Sequence, residues 1–488
     1  MNIQSSSTSP VAVVGAGPVG LAAAAHLVRR GLPVVVLEAG AGVASHLGSY
    51  RQVRLFSNWR YNIDHAARAL LEATGWEAPD LEALPTAGEL VDHYLAPLAR
   101  AAALAPNIHF GARVVAISRE GHDKAKTAGR EQADFVLQVQ TAEGSREVRA
   151  RAVIDASGTW SQPNPLGVHG LPVPGEAEAR AHIVHGMPDV LGTERSRYAG
   201  RKVLVVGAGH SAAGNLLALA TLAEQEPGTR LAWAERGGDL RRLFGGGEND
   251  GLPARGELGV RLRALVDQGR LELHLGFGIR EVASGPHGLR VLAVDAAKEP
   301  IEGLDEIIAS TGARPDISIA RELRLRLDPW LESTDALAPL IDPNVHSCGT
   351  VRPHGHRELA HPEAGFYAIG AKSYGRAPNF LLATGYEQAR SVVAALAGDL
   401  IAADEVQLEL PQTGVCSVDL GRQAPPAPSK GCCGGPAKAD ATACCVLDET
   451  SKAQGKTGCG CGTTEAPPSA EPAVLATRTA PASTACCG

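Results

Sequence analysis

The chain has 488 residues, of which 44% are apolar and 20% charged, with a formal net charge of −7. That length exceeds a single simple core and suits two medium domains plus an appendage, with an ordinary globular balance. An acidic net charge without a basic run argues against nucleic acid and anionic lipid as partners.

The opening MNIQSSSTSP has no basic segment, and the apolar residues behind it are interrupted by glycines and Pro18. The pattern predicts a buried strand and helix rather than a signal peptide or membrane span, and the cytoplasm is the expected location. Residues 11–38 read as strand, glycine turn, helix and strand, through VAVVGAGPVG, LAAAAHLVRR and LPVVVLE. Within the turn, Gly15 suits a tight bend, Gly17 a close approach of backbone to a diphosphate, and Gly20 the packing of helix on strand. Pro18 sits near the first helical position, where no hydrogen bond is lost. The helix end then offers free N–H groups to phosphate, and Glu38, ending the next strand, is placed to accept from ribose hydroxyls.

Alternating runs in 107–160, such as ADFVLQVQ and REVRARAVIDASG, predict antiparallel strands that lead back into a parallel sheet. The opening theme returns at 203–236 as VLVVGAGHSAAGN, LLALATLAEQ and RLAWAER. Here Gly207, Gly209, Ser211 and Ala212 form a second dinucleotide loop, with alanine in the third, tolerant position. The following strand ends Glu235-Arg236; the arginine, with Arg241 and Arg242 near it, favours the 2′-phosphate of NADPH and leaves NADH open. Residues 271–312 repeat the strand pattern, and 361–400 read as strand, loop and helix that complete the first domain.

Between them, His346, Cys348, His354, His356 and His361 gather in one segment, open to a metal site, a substrate-facing loop or a plain surface loop. From 411 onward the chain is Ala, Pro, Gly, Thr and Cys without an aromatic residue, a composition expected to be disordered. Of ten cysteines only Cys348 precedes 411. The tail pairs Cys432-Cys433, Cys444-Cys445 and Cys486-Cys487, with Cys459 and Cys461, suit a soft thiophilic metal or metalloid ion rather than a zinc finger.

With Asp155-Ala-Ser157-Gly158 and Ala309-Ser-Thr311-Gly312 closing the two sheets, the loops resemble the two-dinucleotide-binding flavoproteins. RLFS at 54–57 and PTAGELVDHYLAPLA at 85–99 are similar to bacterial flavin-containing monooxygenases. The resemblance implies an α/β fold of two Rossmann-like, three-layer domains, the NAD(P)H domain inserted in the FAD domain. Its expected boundaries are 1–165 and 336–410 for FAD, 166–335 for NAD(P)H and 411–488 for the tail. It implies FAD on Gly15, Gly17, Gly20 and Glu38, with the backbone of Val114 at the adenine and Gly370 near the ribityl chain. NADPH would lie on Gly207, Gly209, Ser211 and Arg236. Arg54 and Trp160 would flank the isoalloxazine, and Lys372 would add a cation where related reductases carry an aspartate.

Two features depart from the resemblance. The monooxygenase signature Phe-x-Gly-x-x-x-His is replaced by GEAEARAHIVHGMPD, which retains His182 and His185, and the body holds no cysteine pair for disulfide exchange. His185 remains a candidate catalytic group. Three functions are compatible with these residues: a monooxygenase using dioxygen on a small soft substrate or metalloid, an NAD(P)H:acceptor reductase served by the tail thiols, and a thiol-rich metalloid-binding protein. The ACCG terminus is similar to that of mercuric reductases, and the tail as a whole to flavoproteins of arsenic-resistance operons. A homodimer is compatible with all three.

Overall fold

The computed structural model describes residues 9–410 apart from 239, 241–243, 245–252 and 347–350, and gives no side-chain burial for 253–255. The cysteine-rich tail and Cys348 therefore lie outside the described residues. The β-branched runs VAVV and VVVL form β1 (Val11–Val14) and β2 (Val34–Leu37), flanking helix α1 (Pro18–Arg29). β3 (Ile108–His109) follows, then β4 (Arg113–Arg119), β5 (Phe135–Thr141) and β6 (Gly144–Ala150), and the chain returns through β7 (Ala152–Asp155).

The second unit runs β8 (Ile183–His185), β9 (Lys202–Val206), helix α2 (His210–Gln225), β10 (Arg230–Glu235), β11 (Glu272–Leu275) and β12 (Ile279–Gly285). It closes with β13 (Gly288–Ala293), β14 (Ile301–Leu304) and β15 (Glu306–Ala309). β16 (Phe366–Ala368) and helix α3 (Leu382–Leu396) complete the order.

Two parallel five-stranded sheets result, ordered β16-β7-β1-β2-β3 and β11-β10-β9-β15-β8. Because β16 pairs with β7, the last strand returns to the first sheet after the whole second unit has been inserted. The three-layer section follows from the period of two along a strand. Val11 and Val13 face a core shared with Leu21 of α1 and Val392 of α3, whereas Ala12 and Val14 face Phe135 and Leu137 of the antiparallel β4–β6 sheet. The second unit repeats this: Val203 and Val205 meet Leu216 of α2, and Leu204 and Val206 meet Val291 of the β12–β14 sheet. Among the described residues no helix is long and apolar enough to cross a membrane.

A buried charge cluster locks the β4–β6 sheet to the returning chain. Glu363 accepts from Arg119 Nε at 2.8 Å, from Arg130 Nη2 at 2.8 Å and from the backbone N–H of Arg324 at 2.9 Å. The Arg119 guanidinium also covers the Phe135 ring at 3.6 Å, a cation–π contact. Burial alone would raise the Glu363 pKa, but the hydrogen bonds from Arg130, Arg324 and Arg119 outweigh it and hold the carboxyl below its ordinary value. Glu363→Gln, which leaves two guanidinium groups buried beside a neutral amide, is expected to cost about 3–5 kcal/mol in denaturant unfolding. Breaking the exposed Arg68–Glu72 pair is expected to cost under about 0.5 kcal/mol. A folded carboxyl lowered in this way stabilises the fold above the unfolded pKa. The wild-type advantage over Glu363→Gln should therefore shrink as pH falls below about 4.3 toward the folded value.

Candidate functional site

Both glycine loops are shaped by sterics. Gly15 has φ +98°, and a Cβ there would lie 2.9 Å from the Ala156 carbonyl oxygen; Gly207 has φ +129°, and its Cβ would overlap the Ser310 carbonyl. A side chain at Gly20 would overlap the Gly15 carbonyl, and Ala212, its counterpart, is fully buried. Gly17 and Gly209 differ from all of these, because a Cβ on either would meet nothing within 4 Å. Each is the N-cap of its helix, in extended conformation, with no side-chain cap and no acid in the first turn. The helices His65–Glu72 and Ala87–Leu90, by contrast, are capped by Asp64 and Thr86. The first turns of α1 and α2 thus present backbone N–H groups and the positive end of the helix dipole to open space, the arrangement a diphosphate fills.

Glu38, buried at the end of β2, accepts from Ala16 N–H at 2.7 Å and Gly40 N–H at 2.8 Å. Ser45 Oγ also reaches Oε1, at 3.4 Å, whereas Oε2 keeps a lone pair, so the carboxylate is fixed beside the loop and still able to accept from a ribose. The N–H of Ala112 bonds the Glu38 carbonyl and that of Gly111 the Gly40 carbonyl, which brings the start of β4 and its buried Val114 to the same edge. At the end of β10, Glu235 is buried and its Oε2 has no hydrogen-bond partner among the described residues, while Arg236 beside it is exposed.

The two halves meet at an aromatic junction. Trp160 packs on Tyr50, with ring centroids 4.7 Å apart, and so closely on Gly186 that a Cβ there would lie 2.7 Å from the indole. Gln52 donates to the Met187 carbonyl at 3.0 Å, and Phe56 meets the His210 ring edge-on at 5.3 Å. Asn215 of α2 donates to the Gly186 carbonyl at 2.8 Å and to Ser310 Oγ at 3.0 Å, fixing the junction to the second loop. The structure thus brings Trp160 to the rim between the halves; His185, which precedes Gly186 in the chain, is exposed, with its pKa lowered by partial desolvation. Arg54 is also exposed and donates to the Leu84 carbonyl. Burial pushes the Tyr50 phenol up to about 12, so it stays a neutral hydrogen-bond donor.

Lys372 requires a correction. The sequence suggests a cation supplied to the reduced flavin, yet the ammonium is only 5% exposed and lies 2.6 Å from Asp155 Oδ2 and 2.9 Å from Ser157 Oγ. Ser157 in turn donates to Asp155 Oδ1 at 2.7 Å. The positive charge is already neutralised, so the residue joins the end of β7 to the segment after β16. Gly158, Gly312 and Gly370 have φ of +70°, +79° and +70°. Gly370 N–H donates to Gln388 Oε1 at 2.7 Å, and the amide of Gln388 meets His354 Nε2 at 2.9 Å. His354 Nδ1 faces the Arg352 carbonyl, which can only accept; that nitrogen carries the proton, and Nε2 accepts from Gln388. Burial lowers the His354 pKa and keeps this neutral tautomer.

The histidine-rich segment does not assemble a metal centre among the described residues. His354 bonds Gln388, His356 faces Ser391, and His361 accepts from Arg326 N–H, with its pKa pushed down to about 4 by burial. These anchors went unread in the sequence; the only available signal was a polar loop preceding a strand.

Residues 12–347 match the pyridine nucleotide-disulphide oxidoreductase family. The chain belongs to this family. Membership makes it an FAD- and NAD(P)H-dependent oxidoreductase of the two-dinucleotide-binding class. An indole-3-pyruvate monooxygenase (YUCCA1) of Oryza sativa subsp. japonica is 32% identical over 205 residues, 41% of this chain and 42% of that protein. The chain therefore matches less than half the length of that relative. Among solved structures, the bacillithiol disulfide reductase Bdr of Bacillus cereus aligns with TM-score 0.59 at 19% identity, covering 80% of this chain and 99% of that one. The ornithine N-hydroxylase KtzI of Kutzneria sp. 744, solved with reduced FAD, NADP+ and L-ornithine, aligns with TM-score 0.52 at 18% identity, covering 81% and 99%. At these identities the structural likeness shows the fold.

Three variants test the site. Gly17→Val is expected to keep the wild-type melting temperature of the flavin-free protein and to lose bound flavin absorbance, because only ligand space is filled. Gly20→Val should lose both, because the new side chain strikes backbone. Lys372→Met should lower unfolding free energy by about 3–5 kcal/mol by leaving Asp155 as an unpaired buried charge; an unchanged melt with impaired turnover would restore the catalytic reading.

Proposed function

We propose that this chain is a monooxygenase that oxidises NADPH through FAD and transfers one atom of dioxygen to a small soft nucleophile, a class that includes trivalent metalloids. The observation that carries this reading is a family core with two dinucleotide cradles but no dithiol: Cys348 is the only cysteine before residue 411. A disulfide outlet for electrons is therefore missing from the body, and the partial match to a monooxygenase supports dioxygen as acceptor. FAD would rest on Gly15, Gly17, Gly20 and Glu38, and NADPH on Gly207, Gly209 and Ser211, with the exposed Arg236 at the 2′-phosphate. The functional division is FAD on 1–165 and 336–410, NADPH on 166–335, and the protein acts in the cytoplasm.

When bound, FAD supplies the acceptor for hydride and the partner for dioxygen. The protein contributes position. The Phe56–His210 and Gln52–Met187 contacts hold the two cradles in register, as hydride transfer between their two ligands would require. Trp160 on Tyr50 walls the junction, and so would limit the access of water to a flavin held there. The balance is NADPH, a proton, dioxygen and substrate giving NADP+, water and oxygenated substrate.

The cysteine pairs favour a second reading, in which tail thiols deliver a thiophilic ion for reduction. Labelled dioxygen separates the two. With the full-length flavoprotein, NADPH and a soft nucleophile such as a thioether or arsenite, the monooxygenase places label in the product and stops after one reductive half-turnover without oxygen. Sustained anaerobic NADPH oxidation with a thiophilic ion or disulfide, and no label incorporated in air, would establish the reductase instead.

A further inference from the structure

The opposite end of α1 carries a group of side chains that the redox reading does not use. His26 lies in the last turn of α1, about 13 Å along the helix axis from Gly17. Beside it stand Asp64 and His65, where the helix His65–Glu72 begins. One ligand atom from each residue lies within 4.8 Å of the other two, the only such group of three among the described residues. Asp64 divides its oxygens between two tasks. Oδ1 caps the helix by accepting from Ala67 N–H at 2.9 Å, whereas Oδ2 faces both imidazoles, 3.1 Å from His26 Nε2 and 3.9 Å from His65 Nδ1. The rings stand edge to face, with centroids 4.9 Å apart.

We propose that His26, Asp64 and His65 bind one divalent metal ion of borderline softness, zinc being the best match, with water in the fourth position. Bonds of about 2.0–2.1 Å in a tetrahedron set neighbouring ligand atoms roughly 3.3 Å apart, and the two nitrogen–oxygen separations straddle that value. A small rotation of His65 closes the set. Two imidazoles and one carboxylate are donors suited to zinc, and the N–H of Ala67 orients the carboxylate as an outer partner does in metal sites. His26 and Asp64 are buried while His65 is exposed, which gives the ion an entry route and its water a place. A simple His26–Asp64 hydrogen bond would not call for a second imidazole turned to the same oxygen. The site fastens the last turn of α1 to the start of the helix His65–Glu72, so its role is to hold the first domain together, remote from hydride transfer.

The test uses the full-length flavoprotein with its thiols alkylated, since the tail cysteines would otherwise take up the ion, and zinc alone as the probe. Wild type should retain one more zinc per chain after dialysis than His65→Ala, measured by elemental mass spectrometry. Zinc at 100 times its dissociation constant should raise the wild-type melting temperature by about 3 °C and leave His65→Ala unmoved. Because His65 is exposed, the variant should match wild type in flavin content and in melting temperature without zinc. If the variant instead misfolds, His65→Gln, which keeps a polar side chain, takes its place with the same two readouts. Equal zinc content and an equal thermal response in wild type and variant would reduce the cluster to a buried hydrogen bond and overturn the proposal.

Discussion

A helix that begins without a side-chain acceptor leaves its first N–H groups unsatisfied, and α1 and α2 both begin in this way, at Gly17 and Gly209. That unmet valence is what the rest of the molecule arranges. Each helix start is pressed against its sheet by a bend that only glycine tolerates, at Gly15 and Gly207, so the N–H groups point outward at the carboxyl edge of the parallel strands. An anion placed there gains the helix dipole and several hydrogen bonds while displacing no protein atom. A serine or aspartate at either cap would stabilise the empty helix and close the site, so the absence of a cap is part of the function.

The insertion of one Rossmann-like unit into the other docks the two glycine loops' units at one junction. β16 must return to β7 after the second unit is complete, and the returning chain is held by Lys372 on Asp155, by Gln388 on Gly370 and by Glu363 between two arginines. The Lys372–Asp155 and Glu363–arginine ties join residues more than 200 positions apart, whereas Gln388 and Gly370 are 18 apart. They explain why charged and amide groups are buried in this region, where apolar packing alone would leave the relative position of the segments less specified. Gly370 illustrates the consequence, since its backbone is fixed by a chain of hydrogen bonds that ends at a neutral imidazole.

The two glycine loops and the layer order were legible in the sequence because both rest on local rules. A glycine at Gly15, Gly17 and Gly20 answers three separate steric demands within six residues, and the alternation in VAVV assigns Val13 to one core and Val14 to the other. The junction was readable only as two isolated segments. Nothing near Phe56 announces His210, because their contact depends on how the two units dock. Lys372 was read as a cation for the flavin for the same reason: its anion is supplied by Asp155 through the pairing of β7 with β16. Pairings created by topology rather than by spacing leave no trace in a single sequence.

The cysteine distribution bears on where electrons leave. In a disulfide outlet, one sulfur must reach the flavin and a second must lie within bonding distance of it, which requires two thiols held by rigid elements. This chain places its cysteine pairs after residue 411 and gives the junction Tyr50, Phe56 and Trp160 instead. Aromatic walls cannot relay an electron pair as a thiol does, though they can exclude water. A junction built in this way accords with the proposed reading, in which the reaction is completed between the two cradles rather than through a thiol relay.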